Sequence, residues 1–213
     1  MTPPAAAREP DPRVERSRRV VLTAAVELLG EVGYGALTIE AVAARAGVGK
    51  STIYRHWEGK LDLVEDAVRL LRSELAVPVG GPVRDRVVAL LRQVATTLAD
   101  STWSRCLPAI IDAAERDPEV LAIHRRFSCE RREVMVGLLA EGVATGEVRA
   151  GTDLDLLAEA LVGPIVVRRL LFHEPFEPEA VPRLVDQLLP RPPGGGQAPK
   201  RAAKRSSTGR SRS

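Results

Sequence analysis

Residues 36–57, ALTIEAVAARAGVGKSTIYRHW, constrain this chain more than any other stretch. Gly47 separates two segments of helical pattern, and glycine reaches the positive φ of a tight turn without a Cβ clash. Before it, Ile39, Val42, Ala43 and Ala46 set a small apolar stripe on one face. Thr38 stands where an N-cap hydroxyl can accept an orphan N–H, and Glu40 follows in the first turn, where the helix dipole favours a carboxylate. Beyond the turn, Val48 plugs the angle between the helices, while Ile53 and Trp57, four residues apart, share an inward face. The outward positions are polar: Lys50, Ser51, Thr52, Tyr54, Arg55 and His56. A helix that is apolar inside and donor-rich outside is what the major groove of DNA admits. The stretch therefore reads as a helix-turn-helix, and the chain as a DNA-binding regulator.

The rest of the chain repeats the helical period. Val20, Val21, Ala24, Ala25, Leu28 and Leu29 mark a first helix over about 16–32, ending at Gly33. Leu61, Val64, Val68, Leu71 and Leu75 mark a fourth helix. The Pro- and Gly-rich run 77–82 interrupts the pattern and places a boundary there. Helices follow over 83–98 and 103–114. Asp117-Pro118, an N-cap before an N1 proline, opens a long one to about 143, closed by Gly142 and Gly146. Thr152 or Asp153 caps the next, to about 172, and Pro178 opens a last one to 189. No alternating strand pattern and no internal repeat is evident. The fold class is all-α: an N-terminal three-helix helix-turn-helix domain and a larger C-terminal helical domain for ligand binding and dimerisation. The expected limits are a disordered arm over 1–12, the DNA-binding domain over 13–60, the effector and dimerisation domain over 61–190, and a disordered basic tail over 191–213.

Composition narrows the function classes. A hydrophobic content of 45% suffices for a core. No apolar run reaches the ~18 residues of a membrane span, and the first nineteen residues lack the apolar region of a secretory signal. With two cysteines, Cys106 and Cys129, and no C-x-x-C spacing, a reduced, cytoplasmic setting is expected. The cysteines read as buried small hydrophobes or as a redox-sensing pair. The net charge of +3 divides unevenly: residues 191–213 hold seven basic and no acidic groups, leaving 24 basic and 28 acidic in the other 190. That tail cannot offset its ordering entropy by burial. It is either a phosphate-binding arm or a solvated extension. Gly49-Lys50-Ser51 mimics the end of a P-loop, but the required first glycine is Ala44 and no strand precedes it. No acid/base constellation, nucleophile elbow or metal-ligand spacing is present, so neither an enzyme nor a cofactor or metal is expected. A DNA-coating architectural protein that uses the tail, with no effector, is the alternative.

Gly33-Tyr34, Thr38, Val42, Ala43, Ala46-Gly47-Val48, Thr52, Tyr54, His56, Trp57 and Lys60 together resemble the DNA-binding signature of the TetR family of bacterial regulators. Gly49 departs from it where Ser is commoner, at the expense of a cap on the second helix, and Ser51 departs where Gly or Pro is commoner. The resemblance implies roles for matching residues: Thr52 and Lys60 as phosphate clamps, and Tyr54 and His56 at the groove edge or backbone. Thr38 can hold a phosphate at its helix N-terminus, and Lys50 and Arg55 can reach guanine O6 and N7.

The resemblance also implies a homodimer on double-stranded DNA, formed by the last two long helices. Leu156, Leu157, Ala160, Leu161, Val181, Leu184, Val185 and Leu188 are available for it. Two reading heads about 34–36 Å apart read a palindromic operator. It further implies a small-molecule effector held among the middle helices, with Trp103, Leu107, Ile111, Phe127 and Val167 as candidate lining and a proline kink at Gly163-Pro164 beside it. His124, Arg125 and Arg126 either orient an anionic ligand or form a solvated face. The implied mechanism is repression relieved when the effector shifts the fourth helix.

Overall fold

The computed structural model describes residues 12–72, 76–99 and 101–189. Nine α-helices follow one another among them, and none of these residues forms a strand. They are α1 Pro12–Ala36, α2 Ile39–Ala46, α3 Lys50–Tyr54, α4 Lys60–Arg72, α5 Val83–Ala99, α6 Thr102–Ala114, α7 Pro118–Thr145, α8 Leu154–Leu170 and α9 Val181–Leu188. A 3₁₀ turn, Pro178–Ala180, leads into α9. The expected terminal arm and basic tail lie outside the described residues, except that Pro12 already begins α1.

The local signals act as read. Thr38 Oγ1 accepts from Ala41 N at 3.1 Å and caps α2. Asp117 accepts from the N–H groups of Glu119 and Val120 and caps α7. Of the two alternatives for α8, Asp153 is the cap, accepting from Leu156 N at 3.0 Å. Ser101, not singled out in the sequence, caps α6. The first helix breaks at Gly33 (φ 77°, ψ 169°) but resumes for one short turn to Ala36.

Gly142 differs from its reading as a stop. It lies inside α7, which runs on to Thr145, and the left-handed Gly146 closes the helix. A Cβ on Gly142 would stand 2.6 Å from Val148 Cγ2 and 3.1 Å from Val83 Cγ1. The glycine is there because α5 and the turn after α7 approach too closely for any side chain. Glu147 in that turn accepts from Val83 N at 3.1 Å and Arg84 N at 3.3 Å, so it caps α5 from a distant part of the chain.

Among the described residues the main core spans head and body. It begins at Val21 in α1, includes Ile53 and Trp57, passes through α4 and continues to Leu189. Its most extensive helix–helix contact is between α1 and α6, one from the head and one from the body. Gly30 admits this crossing: a Cβ there would lie 3.3 Å from Arg105 Cβ and 3.5 Å from Cys106 Sγ. Cys106 is fully buried, its S–H donating to the Val26 carbonyl at 3.1 Å, and burial pushes its thiol up to about 11. It is the small hydrophobe expected, whereas Cys129 is exposed. In α4 the buried face is Leu63, Val64, Ala67 and Val68, with Leu61 only half-buried, because the helix packs against both α1 and α7.

Gly142→Ala is expected to destabilise the fold by about 1–3 kcal/mol through overpacking against Val148 and Val83. Urea unfolding checks it; an unchanged midpoint would mean that the turn relaxes freely.

Candidate functional site

The helix-turn-helix is held by its backbone first. Gly47 takes the left-handed conformation (φ 68°, ψ 31°). Val48 N donates to Ala43 O at 3.0 Å and Gly47 N to Ala44 O at 3.3 Å. That pair of bonds is a Schellman closure, which ends α2 and turns the chain in one step. Arg45 in α2 makes a two-pronged pair with Glu31 of α1, at 2.7 and 3.0 Å, fixing α2 to the long helix.

The second element is shorter than its sequence pattern. α3 spans five residues, Lys50–Tyr54, and Arg55 and His56 form a turn beyond it. Its N-cap Gly49 makes no side-chain hydrogen bond, as the departure from the signature implies. Ile53 at 0% exposure and Trp57 at 2% anchor it inward. Gly49, Lys50, Ser51, Tyr54 and Arg55 form an exposed surface, with Thr52 and His56 half-buried at its edge. Thr38 is exposed at the head of α2.

Two cations on this surface already have protein partners. Lys50 Nζ lies 3.0 Å from Glu40 Oε1, and both side chains are more than half exposed. The hydrogen bond from Lys50 holds the Glu40 carboxyl below its ordinary range. Lys60 Nζ donates to the Tyr34 carbonyl at 3.0 Å and sits 4.3 Å over the Tyr34 ring. An ammonium has three donors, so the Tyr34 bond leaves Lys60 the means to meet a phosphate.

Asp66 of α4 was not legible as a site residue. Trp57 Nε1 donates to its Oδ2 at 3.0 Å, and Arg18 of α1 reaches the same oxygen at 2.5 Å. Arg69 adds a bond to Oδ1 at 3.4 Å. Burial pushes this carboxyl up, but the bonds from Arg18 and Trp57 with the charges of Arg18 and Arg69 outweigh it and leave it below the ordinary value. The available signal was Trp57 itself, since a buried indole N–H requires an acceptor. Next to Asp66, Glu65 points the other way and pairs with Arg69 and with Arg126 of α7.

The body contains a cavity of about 710 Å³ between α5, α6, α7 and α8. Leu107 and Ile111 line it as expected, joined by Leu90, Val94, Val162 and Val166. Trp103 and Phe127 do not: both rings are buried in the core, under the guanidinium groups of Arg131 and Arg126 respectively. Val167 faces solvent, and its neighbour Val166 takes the inward position. Pro164 is accommodated within α8, and Gly163 lies at the cavity wall. Of the basic trio, His124 lines the cavity, Arg126 pairs with Glu65 outside it, and Arg125 is exposed. Of the expected dimer contacts, Leu161 is 0% exposed and serves the protomer's own core, as do Val181 and Val185. Leu157, Leu184 and Leu188 are half-buried. Among the described residues no cluster of metal-binding side chains occurs, and no helix is long and apolar enough to cross a membrane.

A glycine-turned pair of short helices with an exposed donor surface, packed on a helical body with its own cavity, defines a helix-turn-helix regulator. Residues 21–67 match the pattern of the bacterial regulatory proteins of the tetR family, and residues 77–188 match the tetracyclin repressor-like C-terminal domain. The chain belongs to the TetR family of DNA-binding transcriptional regulators. The uncharacterized HTH-type transcriptional regulator YdeS of Bacillus subtilis is 34% identical over 166 residues, spanning 75% of this chain and 81% of that protein. The DNA-binding transcriptional repressor TetR of Mycobacteroides abscessus is 29% identical over 184 residues, 83% of this chain and 94% of its own. The crystal structure of the TetR family transcription regulator SCO0332 superposes with a TM-score of 0.64 at 32% identity, covering 82% of this chain and 97% of that one. FadR from Bacillus subtilis, solved in complex with stearoyl-CoA, shares the fold at a TM-score of 0.67 and 18% identity, over 81% of this chain and 97% of that one.

Asp66→Ala is expected to cost about 1–3 kcal/mol by leaving the Trp57 N–H and Arg18 without their acceptor. Because the carboxyl is depressed in the fold, its stabilisation is present above its ordinary value of 3.8 and is lost as pH falls below it. Urea unfolding against pH should therefore show wild type and variant converging in acid; a constant gap would remove the carboxylate charge from the account.

Proposed function

We propose that the protein is a homodimeric repressor that binds a palindromic operator through the exposed surface of α3 and is released when a small molecule occupies the body cavity. One observation carries this reading. The donor surface of Lys50, Ser51, Tyr54 and Arg55 sits on a helix whose direction is set through Trp57 by α4, and α4 also contacts the cavity-bearing body. Lys50 and Arg55 serve as the guanine-reading groups, while Thr38, Thr52 and Lys60 serve the phosphates. The repressor relative from Mycobacteroides abscessus supports the sign of regulation.

The route between sites follows α4. Arg126, which holds Glu65, lies two residues from both His124 and Ser128 on the cavity wall. A ligand that shifts α7 carries α4 with it, Asp66 moves Trp57, and α3 turns away from the groove. The ligand drives this only by its difference in affinity between the two arrangements.

Dimerisation is supported by an apolar stripe on α8 and just beyond it. Leu156 at 63% exposure, Val167 at 39% and Leu171 at 70% recur along one side, with Phe172 at 62% next to them. Few monomers leave such a row in water, and a two-fold pairing covers it.

Selection of bound sites from a random DNA pool with the full chain tests the reading; a two-fold palindrome is expected. Enrichment of no sequence would favour the architectural alternative. On the selected site, Lys50→Ala should relax preference at one base pair by roughly 1–3 kcal/mol; an equal loss on random DNA would demote it to a phosphate contact. Replacing Leu156 and Leu171 together by Glu should yield a folded monomer in sedimentation; a persisting dimer would place the interface elsewhere.

A further inference from the structure

Charge and bulk are distributed unevenly over the cavity. α5, α6 and α8 line it with aliphatic groups, among them Leu90, Val94, Leu107, Ile111, Val162 and Val166. Among the described residues the imidazole of His124 is the one aromatic ring in the lining. The walls therefore offer a ligand branched aliphatic surface and little to stack a flat ring on.

The charged groups of the lining are two guanidiniums, Arg131 and Arg132, and two carboxylates, Glu130 and Glu159. Their formal charges cancel, and each is already engaged. The Arg132 guanidinium lies 3.5 Å from Asp155 and 3.7 Å from Glu159. Arg131 lies over the buried Trp103 ring, 5.4 Å from its centroid. Glu130 and Arg131 both have interaction partners within the protein. Glu130, Arg132 and Glu159 are exposed, as is Ser128, so these four groups border the mouth on water. A charged head group drawn inside would leave water and find no unmet opposite charge, and burying an ion without a partner is strongly unfavourable. His124 differs from the rest. It is half-buried in the wall, and burial, then the charge of Arg131, lower its pKa, so near neutral pH the ring is uncharged. A neutral imidazole carries one donor and one acceptor nitrogen, the means to meet a hydroxyl or a carbonyl.

We propose that the cavity takes an uncharged, largely aliphatic molecule, with its body against α5, α6 and α8 and a single hydroxyl or carbonyl group on His124. The proposal rests on the effector reading above and names the chemical class of that effector. A volume of about 710 Å³ lies within the range of small-molecule sites, which are mostly apolar with few polar groups to fix orientation.

Isothermal titration of the full chain with octanol, octanoate and octylamine tests it, at about pH 8, where the three head groups are neutral, anionic and cationic. Octanol is expected to bind at least about tenfold more tightly than either ion, since only the ions lose hydration without gaining a partner. Equal or tighter binding of octanoate or of octylamine overturns the proposal, and so does binding by none of the three. Ile111→Trp, which fills the cavity, should weaken octanol binding about tenfold or more. Val166→Phe fills the same space from α8 and keeps this arm available should the tryptophan variant not fold. Undiminished binding by the filled variants places the ligand elsewhere and overturns the proposal. His124→Leu should weaken octanol several-fold while 1-chlorooctane, which has no O–H, binds as before and reports an intact cavity. An equal effect on both overturns the role of His124. The effector reading beneath the proposal is judged separately by operator affinity. If an ion binds best and releases DNA, that reading stands and the uncharged class falls; if octanol binds best and operator affinity does not change, the class stands and the effector reading falls.

Discussion

A five-residue helix cannot fix its own direction. α3 has one interior residue, Ile53, and its turn is completed by Trp57, so the orientation of every outward donor depends on where that indole is held. Asp66 holds it, with Arg18 bonded to the same carboxylate oxygen. α1, α4 and the segment that follows α3 therefore meet at one acid, and the exposed surface of α3 is positioned by α4 as much as by the turn at Gly47. The Schellman closure sets the angle between α2 and α3, and the acid sets the pair against the rest of the molecule.

The two adjacent carboxylates of α4 divide their labour between head and body. Asp66 faces the head and is largely buried; Glu65 faces Arg126 of α7 at the surface. Magnitudes separate what each can do. An exposed ion pair contributes about 0–1 kcal/mol, whereas coupling between regulatory sites runs at 1–3 kcal/mol. The Glu65–Arg126 pair thus biases the position of α4 without locking it. Beside that pair, Tyr34 and Leu61 pack against Ala113, Ala114 and Val120, an apolar contact that the proposed coupling would also use. Tyr34 also lies under Lys60, and burial, with the nearby charges of Asp117 and Glu119, raises its phenol pKa. In the proposed mechanism, this apolar joint is where a shift of α7 would reach the start of α4.

The fold was legible because its punctuation is chemical. Gly47, the 77–82 interruption, Asp117-Pro118 and the pair Thr152-Asp153 each fall at a helix limit in the structure, Asp153 being the cap of the last. Less legible was the use made of residues once helical. α4 packs on two sides, so its apolar spacing allowed Leu61, Val64 and Val68 to be chosen while Leu63, at 0% exposure, went unremarked. Trp103 and Phe127 suggested a ligand wall by size, but large rings fill a core completely, and the cavity is left to thinner aliphatic groups and to Arg131. Val166 and Val167 differ by one residue, a turn of about 100° around a helix, which periodicity does not resolve when both are valine. Leu161 satisfies the pattern of a dimer face and of a core alike; only the packing of α8 on its neighbours distinguishes them. The lysine partners, Glu40 for Lys50 and the Tyr34 carbonyl for Lys60, depend on helix crossings that sequence spacing does not specify.

The crossing of α1 and α6 at Gly30 has a consequence for how such a protein diversifies. A glycine in one helix, opposed by Arg105 and by a buried cysteine thiol in the other, is a fitted joint rather than a linker. Exchanging the first four helices along the chain at the 77–82 break would therefore also exchange one half of this joint. A chimaera that takes its first four helices from one relative and its body from another inherits two halves of different joints. Substitutions on the exposed surface of α3, by contrast, leave the joint untouched.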